Sequence, residues 1–375
     1  MSEPGSRPRA LWRGAAVAGF LILAGSLIGL RFALVHGDSV LTKPLTLEGG
    51  IRVERVEGPR SARLVVARIP RGKKLRLRAA LLSEKRELVR LAPAAKAMGA
   101  LVAINGDYHF LKGPCLAGTY STLVDGGRID VLGSPFSYAA AFWQDDAGQP
   151  RIGKLDLSCS AKLPSGKTAN LFVNMPQGDL IWIDRCPKGT WKLPGYIGLP
   201  AKGSLATGRL EIGGPAKSRL RGPSLLARIG SPPEQEARGL TKGQVVELTV
   251  TLPKGGVQLA IGTGPRLLEG GQIHADARLD SPGWVGRYGR TAVAMNGEEL
   301  FLVTTVRKAQ DALTMVDFAQ ALKDLGCQEA LNLDGGPSTT LWADQATQNL
   351  PRGRRADAVA SGLFVLPPGE GVSLR

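Results

Sequence analysis

Histidine is scarce. His36, His109 and His274 are spread over 375 residues, too few and too scattered for a histidine-built metal centre. Cysteine is nearly as rare: Cys115, Cys159, Cys186 and Cys327 show no C-x-x-C spacing, which removes zinc-site and thioredoxin-type readings. Aromatics reach only 5%, and with no RNP-like motif and no basic recognition helix, nucleic acid is not an expected partner. A G-x-S-x-G elbow, an H-E-x-x-H helix and a P-loop are all missing, so serine hydrolases, zincins and NTPases lack their signatures. Gly262-Thr263-Gly264-Pro265 is glycine-rich but has neither a dinucleotide fingerprint nor the P-loop lysine. Negative charge is also in deficit. Against 48 Lys and Arg stand 32 Asp and Glu, a formal net charge of +16, which favours anionic lipid or phosphate-bearing polymers as partners.

What is present describes an ordinary globular chain, 43% hydrophobic, with 49 glycines that suit many strands joined by tight turns. At the N-terminus Arg7, Arg9 and Arg13 precede an uncharged run over residues 14–30. As a helix this run spans roughly 26 Å, close to the ~30 Å hydrocarbon core. It exceeds the usual h-region, and no clean A-x-A site follows it, so an uncleaved signal anchor is favoured over a cleaved signal. The basic end then stays cytoplasmic and the remainder is exported, anchored in the cytoplasmic membrane. The expected organisation is a leader and anchor over residues 1–34, a spacer over 35–44 and one large exported domain over 45–375. Ser231-Pro232-Pro233-Glu234 reads as a surface loop, because a strand-like segment (245–252) follows at once. Four cysteines suit an exported chain, and Cys159 with Cys186 is the first disulfide to expect, stabilising by about 3–4 kcal/mol in the chain-entropy model.

The most informative stretch is Ala330-Leu331-Asn332-Leu333-Asp334-Gly335-Gly336-Pro337-Ser338-Thr339-Thr340-Leu341. Before it, Met315, Phe318, Ala319, Leu322 and Leu325 recur at helical spacing, with Thr314 as N-cap and Gly326 just past the end. A short apolar strand follows and stops at Asp334, since Pro337 lacks a donor and the glycines favour a turn. Residues 93–105 repeat this grammar: a short helix, Gly99, an apolar strand, then Asn105-Gly106-Asp107. The echo predicts that Asn105 and Asp334 meet at the rim of one sheet. Residues 290–306 read as a hairpin around Asn296-Gly297, and residues 358–366 as a closing core strand. The fold class expected is α+β, a mixed β-sheet core with few helices.

With histidine and thiol chemistry set aside, carboxylate, amide, hydroxyl and guanidinium groups remain. That set suits a sugar bearing a phosphate. Asp334 is the candidate base or nucleophile, and Asn105 and Asn332 are candidates to hold sugar hydroxyls. Arg290 is the candidate for a two-point grip on phosphate. Ser338 and Thr339 are candidate donors to an anion, and His109 lies within reach of the Asn105 loop.

Asn105-Gly106, Gly262-Thr263-Gly264-Pro265-Arg266, Arg290-Thr291 and Asn332-Leu333-Asp334-Gly335-Gly336 occur in an order that resembles the phosphodiester glycosidase family, over roughly residues 85–366. Bacterial members of that family are often linked with exopolysaccharide biosynthesis. The resemblance implies hydrolysis of the C1–O bond of a sugar-1-phosphodiester on an envelope glycan. It implies catalytic roles for Asp334, Arg290 and Asn105. Substrate contacts would come from Gly106, Asp107, His109, Thr263, Thr291, Asn332, Gly335, Gly336, Ser338, Thr339 and Arg355. No cofactor is expected, and a divalent cation is left open. The chain departs from the family at Asp107 and Pro337, where glycines are usual, and meets the later Asn, Pro and Arg pattern only loosely at Asn349, Pro351 and Arg355. Two rivals stand beside this reading: a non-catalytic envelope protein that binds an anionic polysaccharide, and a metal-dependent phosphodiesterase attacking phosphorus.

Overall fold

The computed structural model describes residues 41–82, 88–112, 116–133, 140–186, 189–350, 354, 356–369 and 373–374. Strands dominate and helices are few and short. An 8-stranded sheet runs in the spatial order Leu45–Thr46, Arg52–Glu57, Arg63–Pro70, Glu299–Thr305, Thr291–Met295, Glu329–Asn332, Arg266–Glu269 and Gln272–Ile273. A 5-stranded sheet places Val102–Asn105 between Leu341–Ala343 and Ser361–Leu366. A second 5-stranded sheet carries Leu259–Thr263 and Ala140–Gln144 at its centre.

Alternation along the strands explains the layers. In Arg63–Pro70, Val65, Ala67 and Ile69 join a central core shared with Val102, Ile104, Leu363 and Val365 of the smaller sheet. Leu64 and Val66 point the other way, onto the helix Met315–Asp324 through Phe318, Ala319 and Leu322. Ala103 and Phe364 likewise turn outward onto the helix Leu91–Ala97 through Leu91 and Ala95. The result is helix, sheet, sheet, helix. Both faces of the central strands are covered, so they read as near-continuous apolar runs.

Every ladder in these sheets is antiparallel, and among the described residues only Thr168–Val173 with Leu180–Ile183 pairs in parallel. The expected mixed sheet is thus corrected. Parallel neighbours need crossovers of a dozen or more residues, and this chain connects most strands by tight turns. Between Pro150–Gly153 and Leu259–Thr263 the chain closes a barrel of strands with its own core around Leu171, Trp182, Leu199 and Leu225.

The Met315–Asp324 helix forms as its periodicity predicts. Thr314 Oγ1 accepts from the Asp317 amide at 3.1 Å, and Gly326 takes φ 83° just beyond the end. The hairpin joins Thr291–Met295 to Glu299–Thr305, with Asn296 Oδ1 accepting from the amides of Glu298 and Glu299. The segment read as a loop at Pro232 instead starts a helix, Pro232–Gly239, because proline at the first helical positions supplies the right φ and sacrifices no bonded amide. Cys159 is a free thiol packed in the barrel core, whereas Cys186 packs against a different cluster, so the Cys159–Cys186 bridge is not formed. Among the described residues no helix is long and apolar enough to cross a membrane. The 14–30 run, Cys115, Pro351 and Arg355 lie outside the described residues.

Candidate active site

The strands Val102–Asn105 and Glu329–Asn332 end beside each other, in two facing sheets and not in one. Backbone bonds weld the two ends together. The Asp334 amide donates to Gly106 O at 2.9 Å across the two sheets, while within the larger sheet the Leu333 amide donates to Thr291 O at 2.9 Å. The predicted meeting of Asn105 and Asp334 therefore occurs, but across the sandwich.

Asn105 is fully buried and spends its amide on the protein. Its Nδ2 donates to Asp334 O at 2.7 Å, while its Oδ1 accepts from Thr291 Oγ1 and the Thr340 amide, both at 3.0 Å. It fastens the Asp334 loop and does not face a ligand, which corrects the role of sugar holder. Asn349 braces the same loop from behind, joining Thr305 O, Thr339 O and the Leu341 amide. Gly106 has no room for a side chain: a Cβ there would strike Ser361 Oγ and lie 2.7 Å from Ile261 Cδ1.

Arg290 also departs from expectation. Thr291 points toward Asn105, so its neighbour on the strand points to the opposite face. The Arg290 guanidinium donates to the carbonyls of Leu313 at 2.9 Å, Gly283 at 3.0 Å and Gly286 at 2.7 Å, and lies over the Tyr288 ring. Burial, only partly offset by the nearby tyrosines, pushes its pKa down to about 10. It holds the 283–286 turn beneath the site.

Asp107 is buried, and its Oδ2 accepts from the Ser121 amide at 2.7 Å, closing the base of the hairpin His109–Lys112 with Leu116–Thr119. Desolvation, then the Asp334 charge nearby, raises its pKa well above the usual carboxylate range. It is a buried clasp and not a surface contact. The hairpin it closes delivers two side chains to the site. Tyr108 Oη accepts from Asn332 Nδ2 at 3.0 Å, and His109 Nδ1 lies 3.3 Å from Asp334 Oδ2.

Asp334 and His109 open on a cleft of about 910 Å³, lined further by Arg90, Pro93, Gly335, Ser338 and Asp357. Sequence reading missed Arg90, an exposed cation at the mouth that directly precedes the Leu91–Ala97 helix. No local signal marked it, because Asp334, Gly335 and Ser338, which share the cleft with it, are more than 200 residues away in sequence. Gly336, at φ 57°, gives its amide to Gly289 O at 2.8 Å, so it is not available to an anion. Pro337 has no amide hydrogen, and the Gly335 amide has no partner among the described residues. Asn332 Oδ1, Thr339 Oγ1 and Thr340 Oγ1 are buried without hydrogen-bond partners among the described residues. Thr263 ends its strand opposite Ala140, with the Asn332 amide donating to nearby Pro265 O at 3.0 Å. Among the described residues no three His, Cys, Asp or Glu side chains gather as a metal site.

Solved structures share the fold. A hypothetical protein from Synechocystis superposes with a TM-score of 0.67 at 21% identity, covering 84% of this chain and 61% of its own. This chain thus spans less than two thirds of that relative. A Burkholderia pseudomallei protein described as exported gives a TM-score of 0.64 at 15% identity, over 86% of this chain and 76% of its own. Both likenesses concern the fold. The catalytic domain of zebrafish N-acetylglucosamine-1-phosphodiester alpha-N-acetylglucosaminidase, auto-inhibited by its pro-peptide, aligns at 16% identity over 88% of this chain and 86% of its own, but a TM-score of 0.44 is too loose to argue from. No curated protein matches the chain. Residues 222–366, which carry Arg290, Thr291 and the whole 332–339 loop, match the phosphodiester glycosidase family.

Proposed function

We propose that this protein hydrolyses a sugar-1-phosphodiester at the C1–O bond, releasing free sugar and a phosphomonoester. The observation that carries the reading is the Asp334 carboxylate, held by its own backbone at the floor of a wide cleft within the family-matched segment. A phosphate leaving group departs as a stable anion, so the reaction asks less of a general acid than ordinary glycosidases do. One carboxylate in the site then suffices, and Asp334 supplies it.

Arg90 takes the phosphate-gripping part first given to Arg290, because it is exposed at the cleft while Arg290 is buried against carbonyls. The Gly335 amide and the Ser338 hydroxyl add donors on the same wall. The proposed substrate is a phosphate-bearing envelope glycan gathered by the basic surface, with the protein exported and tethered by residues 14–30. No cofactor takes part in this reading.

The test is product analysis of the full chain on a panel of UDP-sugars and sugar-1-phosphodiesters, beside Asp334→Asn. Free sugar from the wild type and none from the variant supports the reading. Sugar-1-phosphate as the product means attack at phosphorus and overturns it.

A further inference from the structure

We infer that His109 is the base that activates the attacking water, with Asp334 positioning its imidazole, so that hydrolysis inverts the configuration at C1. This rests on the C1–O reading and assigns the proton-transfer group within it.

The geometry is that of a carboxylate backing an imidazole. His109 Nδ1 is buried, has no hydrogen-bond partner of its own, and sits 3.3 Å from Asp334 Oδ2. That separation is slightly long for a formed bond, as such contacts often are before substrate closes the site. The His109 side chain is nevertheless 25% exposed. With Nδ1 buried, the exposed edge is the one bearing Nε2, and His109 lines the cleft. The backbone that carries the carboxylate is fixed on both sides. Asp334 is pinned through its amide to Gly106 and through its carbonyl to Asn105. The backbone that carries the imidazole is held too, because its hairpin is closed by Asp107 on Ser121 and by the Tyr120 amide on Tyr108 O at 3.0 Å.

A carboxylate on Nδ1 fixes the imidazole tautomer and stabilises the imidazolium once a proton arrives at Nε2. In the step that follows, water oxygen bonds to C1 as the C1–O bond breaks. The bonding pair leaves with the phosphate oxygen, and the water proton moves to His109 Nε2. The imidazolium then returns that proton to solvent, which restores the site. Asp334 forms no bond to the sugar, so a single displacement inverts the anomer.

The experiment follows the anomer of the first sugar released from an α-linked sugar-1-phosphodiester by time-resolved proton NMR. The β anomer is expected first. Initial release of the α anomer, or a glycosyl adduct on Asp334 seen by mass spectrometry, overturns the inference while leaving C1–O cleavage intact. His109→Ala is expected to lose about 10²–10⁴ in kcat and to regain part of it with added imidazole. His109→Gln, which preserves bulk, should unfold like the wild type yet stay slow. A His109→Ala kcat within threefold of the wild type also overturns the inference. If the wild type yields only sugar-1-phosphate, the C1–O reading itself fails and takes this inference with it.

Discussion

Replacing Asn105 by alanine separates a loop fastener from a sugar ligand. The side chain is fully buried and makes three contacts: to Asp334 O at 2.7 Å, and from Thr291 Oγ1 and the Thr340 amide at 3.0 Å. Truncation strands the Thr340 N–H and the Asp334 carbonyl in the protein interior. The Thr291 hydroxyl can rotate, so it is not counted. Two orphaned groups at about 1–3 kcal/mol each, with under about 1 kcal/mol for the space vacated, give a loss of about 2–7 kcal/mol. Denaturant unfolding followed by tryptophan fluorescence reads this directly, since Trp342 lies in the strand paired with Val102–Asn105. Turnover of the phosphodiester should fall chiefly in kcat, because the Asp334 backbone loses a tether. A ligand to sugar hydroxyls behaves oppositely, raising KM with stability unchanged. An Asn105→Ala protein within 0.5 kcal/mol of wild type, with only KM raised, would refute the reasoning.

Asp107→Asn keeps an oxygen for the Ser121 amide. Because burial and the Asp334 charge raise the folded pKa of Asp107 well above 3.8, its contribution to stability is full below the unfolded value and drains away as pH rises through the folded value. The variant should therefore match the wild type near pH 3–4 and gain on it steadily above, as measured by urea midpoints across pH. A constant difference would count against a raised pKa. Arg290→Lys replaces a fork over carbonyls by a single nitrogen and should cost about 2–4 kcal/mol, with proteolysis accelerated in residues 279–288. Gly106→Ala should cost about 1–3 kcal/mol by overpacking against Ser361 and Ile261, and Ser361→Gly should return part of it in a double-mutant cycle. With a net charge of +16, kcat/KM on an anionic polymer should fall with added salt while kcat holds; a salt-independent kcat/KM would argue against electrostatic gathering.

Elements defined by local period were legible in the sequence. The Met315–Asp324 helix announces its buried face, cap and stop between Thr314 and Gly326, and the Asn296-Gly297 hairpin announces its turn. The placement of Asp334 beside Asn105 also showed, through two strands ending in the same polar and glycine grammar. Side-chain direction was harder. Arg290 and Thr291 are adjacent, and nothing in the sequence says which of two neighbours on a strand faces the site, since a shift of one residue exchanges them. Asp107 looked like a loop carboxylate because its partner is a backbone amide at Ser121, which leaves no mark on composition. His109 and Asp334 meet across 225 residues, and the barrel hides because its strands are short and its one parallel pair obeys no hairpin rule.

Ala140–Gln144 pairs with Pro150–Gly153 on one side and with Leu259–Thr263 on the other. The chain therefore departs for the barrel and comes back within about 10 Å across the sheet and about 10 Å along it, from the ordinary strand spacings. Two anchor points that close turn the whole barrel into a cassette. Lengthening the excursion from a turn to roughly a hundred residues adds only a few kcal/mol of closure entropy, since that cost grows with the logarithm of length. A change of length or sequence within the cassette therefore leaves the rim that carries Asp334 and His109 geometrically in place.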